Sequence, residues 1–235
     1  MVTATHRILG SIAAEDAQRL AEQSAVPADV SEPVTDFPCS VSQERFWLLD
    51  RLEPGNASYN VAVRWRLEGR ISTEILEQAW QHIIARHEVL RTHFLEIGGK
   101  PVQRVAERAT FKLVEIDLST LPAESRSAEA DRIGLIEARA PFDLSGGPLL
   151  RVMLLRYSPT TAVILITTHQ IVSDGWSIGV MSREMGAIYE ALSRQKPIAT
   201  KSQLWTTLRV TTFWALMIKE ILSSMIQATH SSAGN

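Results

Sequence analysis

Residues 163–177 read Val-Ile-Leu-Ile-Thr-Thr-His-Gln-Ile-Val-Ser-Asp-Gly-Trp-Ser, a histidine and an acidic turn directly after an apolar run. The apolar run 163–166 predicts a buried strand. His169 follows that strand, where a histidine serves as a general base, a metal ligand or a structural hydrogen-bonding group. A zinc site is disfavoured because no second histidine lies nearby. Asp174 and Gly175 predict a turn into a helix N-terminus, where a carboxylate accepts backbone N–H bonds and meets the helix dipole.

The composition is that of an ordinary soluble globular protein. The 235 residues are 45% hydrophobic and 21% charged, with a net charge of −2. Charges of both signs are interspersed, so nothing favours nucleic acid or an anionic membrane surface as a partner. Cys39 is the one cysteine, which excludes an intrachain disulfide and fits a cytoplasmic protein. The first twenty residues lack the apolar core of a signal peptide.

Strand-like and helix-like patterns alternate irregularly along the rest of the chain. Ser72 is positioned to cap a helix whose apolar residues recur at helical spacing. This mixture favours α/β or α+β layering. Helices are predicted at 42–49, from Ser72, at 126–140 and at 177–192, and strands at 61–67, 90–95, 101–106, 111–117, 149–157 and 162–168.

The two ends of the chain differ from the middle. Residues 1–36 are weakly periodic and punctuated by proline, so we interpret them as a leader or linker. Residues 196–235 form an atypical tail, in which an apolar stripe predicts an amphipathic helix at 204–226. A transmembrane helix and a tail without a dedicated partner are the alternatives for this segment.

Four segments carry recognisable motifs, in the chain order 40–49 (SVSQERFWLL), 86–94 (RHEVLRTHF), 140–151 (APFDLSGGPLLR) and 168–177 (THQIVSDGWS). Together they resemble the signature motifs of condensation domains from nonribosomal peptide synthetases. The histidine segment is similar to the His-His-x-x-x-Asp-Gly signature of that family, with Gln170 at the second histidine position. The resemblance covers roughly residues 37–195.

This resemblance implies the fold of the N-terminal lobe of chloramphenicol acetyltransferase-like proteins. That fold is α/β, an α+β two-layer sandwich in which a mixed sheet is packed with helices. In the family, two such lobes enclose a tunnel in which an acceptor amine attacks a donor thioester to form an amide. The implied partners are peptidyl or acyl carrier protein domains, with adenylation domains or a separate second lobe as further candidates. No cofactor is expected to bind directly; the phosphopantetheine arms of the carrier proteins deliver the substrates.

The resemblance also assigns roles to individual residues of the histidine segment. His169 matches the first, largely structural histidine, and Gln170 matches the second, mechanistic one. Asp174 matches the structural acid. Gly175 matches the residue that lets backbone approach the reaction centre. We therefore expect these four residues to form the catalytic site.

Four further residues are expected to support this site. Arg86 and Arg91 match arginines of the second motif, and one of them is expected to pair with Asp174 and lock the loop. Trp176 and Ser177 continue the match after the acidic turn. No metal ligand set is expected.

The match departs from the family at Gln170. Glutamine has no titratable group, and loss of a general base typically slows a reaction by about 10²–10⁴. Its carbonyl oxygen retains the ability to position an amine. His169 is not expected to substitute, because neighbouring residues of a strand face opposite sides.

The resemblance covers one of the two lobes. The chain is therefore expected to be a truncated condensation domain, inactive or weakly active alone. A stand-alone acyltransferase of the same superfamily and a non-catalytic interaction lobe or degenerate fragment remain the alternatives.

Overall fold

A computed structural model describes residues 7–9, 34–198 and 209–213 of the chain. Its strands are β1 (Arg7–Leu9), β2 (Val34–Pro38), β3 (Asn60–Glu68), β4 (Thr92–Ile97), β5 (Lys100–Ala106), β6 (Val114–Asp117), β7 (Leu150–Ser158), β8 (Thr161–His169) and β9 (Arg209–Phe213). Its helices are α1 (Val41–Leu52), α2 (Thr73–Arg86), α3 (Ala123–Arg139) and α4 (Gly175–Ser193). Two 3₁₀ turns lie at Ala57–Tyr59 and Glu88–Arg91.

Within these residues the strands form two sheets. The larger is ordered β1-β6-β7-β8-β3-β9 and is mixed, since β6 runs parallel to both β1 and β7 while the other pairs are antiparallel. The smaller is antiparallel, with the order β2-β5-β4. In the larger sheet His169 lies opposite Asn60, so the histidine segment leaves the sheet from a central strand.

Helices cover both faces of the larger sheet because its central strand is apolar on both sides. Ile164 and Ile166 pack in one core with residues of α2 and α4. Val163 and Leu165 pack in a second core with residues of α3. The predicted α/β lobe with a mixed sheet packed by helices is confirmed. With helices on both faces, the larger sheet is the middle of three layers, one more than the two-layer sandwich that the resemblance implied.

The start of α2 is capped as the sequence predicts. The Ser72 hydroxyl accepts a hydrogen bond of 3.2 Å from the backbone N–H of Ile75. Behind this start, the Trp80 ring of α2 stacks on the Trp65 ring of β3, with centroids 6.0 Å apart and planes at 11°. Both indoles are fully buried, so they join helix to sheet at the centre of the core.

The tail prediction needs correction where the structure describes it. Residues 209–213 form β9, paired antiparallel with β3, and not part of a helix. This segment reads Arg-Val-Thr-Thr-Phe, and β-branched and aromatic residues suit a strand. The apolar stripe that suggested a helix begins at Trp214, and residues 199–208 and 214–235 lie outside the described residues.

At the other end, β2 begins at Val34, inside the segment interpreted as a leader. Residues 34–36 pair with 104–106 of β5, which makes them part of the smaller sheet. Residues 7–9 also form a strand, paired with β6. Residues 1–6 and 10–33 lie outside the described residues, so the rest of that interpretation stays a prediction.

Candidate functional site

His169 ends β8 and turns into the core. Its side chain is almost completely buried, with a residue exposure of 2%. The ring Nδ1 accepts a hydrogen bond of 3.1 Å from the backbone N–H of Ile171. An accepting Nδ1 carries no proton, so the neutral ring has its hydrogen on Nε2.

Three aromatic rings surround the imidazole of His169. The rings of Phe46, Tyr59 and Phe142 meet it edge-on, with centroids 6.2, 6.1 and 6.3 Å away. Phe46 comes from α1, Tyr59 from the first 3₁₀ turn, and Phe142 from the loop after α3. Burial among these rings lowers the pKa of His169 to about 4. The imidazole is therefore neutral at pH 7 and acts as a hydrogen-bonding group.

Gln170 lies in the opposite environment. Its side chain is exposed, while its backbone N–H donates a hydrogen bond of 2.9 Å to the carbonyl of Tyr59. The strand alternation predicted that His169 and Gln170 face opposite sides, and their burial agrees with it. Gln170 thus presents an uncharged amide to solvent from a backbone that is held in place.

Asp174 begins α4 as its N-cap. One carboxylate oxygen accepts hydrogen bonds of 2.8 Å from the backbone N–H of Ser177 and 2.6 Å from the Ser177 hydroxyl. These bonds lower the pKa of Asp174, the Ser177 hydroxyl contributing most. The negative charge also meets the positive end of the helix dipole. Asp174 and Ser177 together therefore fix how the chain enters α4.

The predicted pairing of Asp174 with an arginine is wrong. Arg86, at the end of α2, forms an ion pair with Glu184 of α4 at 3.0 Å. Glu184 also contacts His87 Nε2 at 2.6 Å. The Asp174 carboxylate is bonded locally by Ser177, and among the residues that the structure describes no arginine forms an ion pair with it.

Arg91 is also engaged elsewhere. It donates to the backbone carbonyl of Ala106 and lies 3.5 Å from a carboxylate oxygen of Glu88. These contacts tie the second 3₁₀ turn to the end of β5. Arg91 therefore supports the smaller sheet and does not contact the histidine segment's acid.

Gly175 and Trp176 occupy the first turn of α4. Gly175 is its first residue and is half-buried. The side chain of Trp176 is 78% exposed, so it does not support the site by packing within the described residues. The roles expected of these two residues stay predictions.

Sequence reasoning missed Arg151 as part of this site. Its guanidinium carbon lies 3.8 Å from the centroid of the Phe142 ring, which contacts His169. Its Nε bonds the buried carboxylate of Glu137 at 2.5 Å. The available signal was Arg151 as the one polar residue in the otherwise apolar run 149–155.

Neither a metal site nor a membrane span is found in the described part of the chain. Residues 7–9, 34–198 and 209–213 contain no group of three or more His, Cys, Asp or Glu side chains that could hold a metal ion. Of the helices described, none combines the length and hydropathy that crossing a bilayer requires.

Comparison with known proteins places this geometry in context. A family model described as "Condensation domain" matches residues 34–205. Phosphinothricin tripeptide synthetase PhsC of Streptomyces viridochromogenes is 44% identical over 167 residues, covering 70% of this chain and 15% of that protein. Chondramide synthase cmdD of Chondromyces crocatus is 41% identical over 161 residues, covering 68% of this chain and 4% of that protein.

Solved structures show the same fold. The starter condensation domain of rhizomide synthetase RzmA matches with a TM-score of 0.67 and 24% identity, over 72% of this chain and 42% of that one. The first condensation domain of the calcium-dependent antibiotic synthetase matches with a TM-score of 0.66 and 22% identity, over 72% of this chain and 40% of that one. The chain thus spans about two fifths of these solved domains and a small part of the two longer relatives.

Proposed function

The chain belongs to the condensation-domain family, and on that premise we propose that it carries the histidine-segment half of a nonribosomal peptide synthetase condensation site. In this proposal the substrates are thioesters on the phosphopantetheine arms of carrier protein domains. Adenylation domains act upstream as further partners. We also propose a cytoplasmic location, which the single Cys39 fits.

One observation carries the proposal: Gln170 is exposed at the end of β8, directly beside a buried, neutral His169. In the proposed reaction, the acceptor amine nitrogen attacks the donor thioester carbon. The C–N bond forms, the C–S bond breaks, and the departing thiolate takes up the proton that the amine loses. The Gln170 amide oxygen can accept a hydrogen bond from the amine and so orient it.

Position 170 decides how fast this reaction runs. Glutamine orients the amine without taking its proton, so the transfer lacks a general base, which typically costs about 10²–10⁴ in rate. His169 does not replace it, because its side chain is buried and its pKa of about 4 makes it a weak base. We therefore propose that the site is weakly active or inactive with Gln170.

The test is the substitution Gln170→His. Since the chain spans about two fifths of the solved domains, the assay supplies the remaining lobe of a condensation domain together with loaded donor and acceptor carrier proteins. Amide product is followed by mass spectrometry. We expect Q170H to form amide about 10²–10⁴ times faster than the chain with Gln170.

Gln78→His is the matched control, because Gln78 is exposed on α2 and lies outside the site. It should leave the rate unchanged. If Q170H and the chain with Gln170 form amide at the same measurable rate, then residue 170 does not act as a general base.

A non-catalytic interaction lobe is the second candidate, and Gln170 itself favours it. Carrier-protein binding without amide formation by any variant would support this candidate against catalysis. Turnover with a free amine, and none with a carrier-bound amine, would instead indicate a stand-alone acyltransferase.

A further inference from the structure

Arg151 is a buried cation in the middle of the site's supporting structure. It lies on β7 with its side chain 6% exposed, and its Nε bonds Glu137 Oε1 at 2.5 Å. Its remaining nitrogens donate to three backbone carbonyls at the end of α3, those of Glu137, Ala140 and Pro141, at 3.1, 2.9 and 3.1 Å.

These hydrogen bonds place a positive charge at the C-terminus of a helix, where it is electrostatically favourable. The last carbonyls of a helix lack partners within it and form the negative end of its dipole. Asn60 donates to two carbonyls of the same helix end, those of Ala138 and Ala140, at 2.8 and 2.9 Å. Asn60 lies opposite His169 in the sheet. The end of α3 is therefore bonded to the two strands that flank β8.

Phe142 connects this bonded end to His169. The Arg151 guanidinium lies over the ring of Phe142 at 3.8 Å, a cation–π distance. The same ring meets the imidazole of His169 at 83°, with centroids 6.3 Å apart. Arg151 thus lies over the face of the Phe142 ring, and His169 contacts the same ring in a T-shaped arrangement.

We propose that Arg151 is a positioning residue for the candidate site, holding the Phe142 ring against His169 and so keeping water from the imidazole. The functional importance of this role rests on the proposed condensation site, but the contact itself does not. A merely structural arginine would join α3 to β7 and leave the environment of His169 unchanged when it is replaced.

The test is a pair exchange, Glu137→Leu with Arg151→Met, in the full chain. Removing both ions avoids leaving one buried charge unpaired, which would endanger folding. The pKa of His169 is then measured by NMR titration of its imidazole. Burial is the cause of its lowering to about 4. A ring released from Arg151 should admit water, so we expect the pKa to rise by about one unit toward 6.5.

Arg64→Met with Asp131→Leu is the matched control. This ion pair also joins a strand of the large sheet, β3, to α3, and neither residue belongs to the rings around His169. Its exchange should leave the pKa of His169 unchanged. A rise of equal size in this control would overturn the proposal, because a general loosening of α3 would then explain both results.

Two further variants keep the proposal falsifiable if the pair exchange fails to fold. Arg151→Lys retains the charge beside Glu137 but lacks the planar group that stacks on Phe142. Arg151→Lys should therefore raise the pKa of His169, but by less than the pair exchange does. In a Phe142→Leu background, Arg151→Lys should add no further rise, because the ring that transmits its effect is gone.

An unchanged pKa of His169 in Arg151→Lys would overturn the proposal. This readout requires no amide formation. Failure of the condensation assay therefore leaves the positioning role of Arg151 standing, and an unchanged pKa leaves the condensation proposal standing.

Discussion

His169 and Gln170 are adjacent in the chain, but they offer different chemistry. The imidazole of His169 is buried among aromatic rings, while the amide of Gln170 is exposed to solvent. A buried ring with a pKa near 4 is neutral at pH 7 and serves as a fixed hydrogen-bonding group. In the proposed condensation reaction, contact with the substrate would therefore fall to Gln170, while His169 holds the following backbone by accepting the Ile171 N–H.

The buried His169 predicts a pH dependence of stability. Its pKa is about 4 in the folded chain, whereas an exposed imidazole has a pKa of 6.5. Between these values the unfolded chain binds a proton that the folded chain does not, so the free energy of unfolding falls as the pH decreases from 6.5 to about 4. The expected loss is about 3 kcal/mol, measured by urea unfolding at a series of pH values.

The matched variant is His169→Gln, which cannot titrate. Its free energy of unfolding should fall less over the same pH window. His93 is also buried with a lowered pKa and remains in both proteins, so the difference between them isolates His169. Parallel curves would contradict this assignment.

Asp174 is predicted to act through its cap. Replacing it with Ala removes the acceptor for the Ser177 N–H, so Asp174→Ala should lower the free energy of unfolding by about 1 kcal/mol in urea at pH 7. Asp174→Asn retains an acceptor and should recover most of that loss. Because the folded pKa of Asp174 is lowered, its charge-dependent contribution is present above pH 3.8 and is lost as the pH falls through the folded pKa.

Asp174 also shows how much of the site's local structure could be predicted from the sequence. The turn predicted at Asp174-Gly175, directly before a helix, indicates a local cap, and the cap is present. The expected arginine partner is not, because a one-dimensional pattern does not tell which of two acids a given cation meets. Arg86 meets Glu184, which lies on the face of α4 that α2 contacts.

At the scale of elements, the stacked indoles of Trp65 and Trp80, which are among the largest fully buried side chains, join α2 to the large sheet. Both are fully buried. Trp80→Ala leaves a cavity and should reduce the free energy of unfolding by about 3–5 kcal/mol. Trp176→Ala is the matched control, since that ring is 78% exposed, and should change it by less than about 0.5 kcal/mol. Chemical unfolding of the unchanged chain and of the two variants measures both losses of free energy. Equal losses in the two variants would show that Trp80 is not a core residue.

Elements with strong periodicity were predictable and the tail was not. α2 and α4 have apolar faces at helical spacing, and the predicted start of α2 and both predicted ends of α4 agree with the structure to within two residues. For β9, the adjacent stripe from Trp214 suggested a helix, while pairing with β3 decided the conformation of 209–213. Strand pairing joins distant parts of the chain, so local periodicity does not reveal it.

Across the whole molecule, the two sheets differ in how well they are covered. The large sheet is packed by helices on both faces. α1 has no fully buried residue, and its links to the smaller sheet include a 2.7 Å bond from Gln43 to Gln103 and an ion pair from Arg51 to Glu96. Three of its apolar side chains are exposed: Val41, Leu48 and Leu52.

This uneven burial predicts that α1 opens before the rest of the fold. Regions with few buried apolar contacts unfold locally at lower free energy than the core. Amide hydrogen exchange should therefore be at least about tenfold faster in α1 than in α2, about 1.4 kcal/mol in opening free energy. α2 is the matched reference because it is a helix of similar length with six buried residues. Equal protection of the two helices would contradict the prediction. Because Phe46 of α1 contacts the imidazole, each such opening would also expose His169 to water.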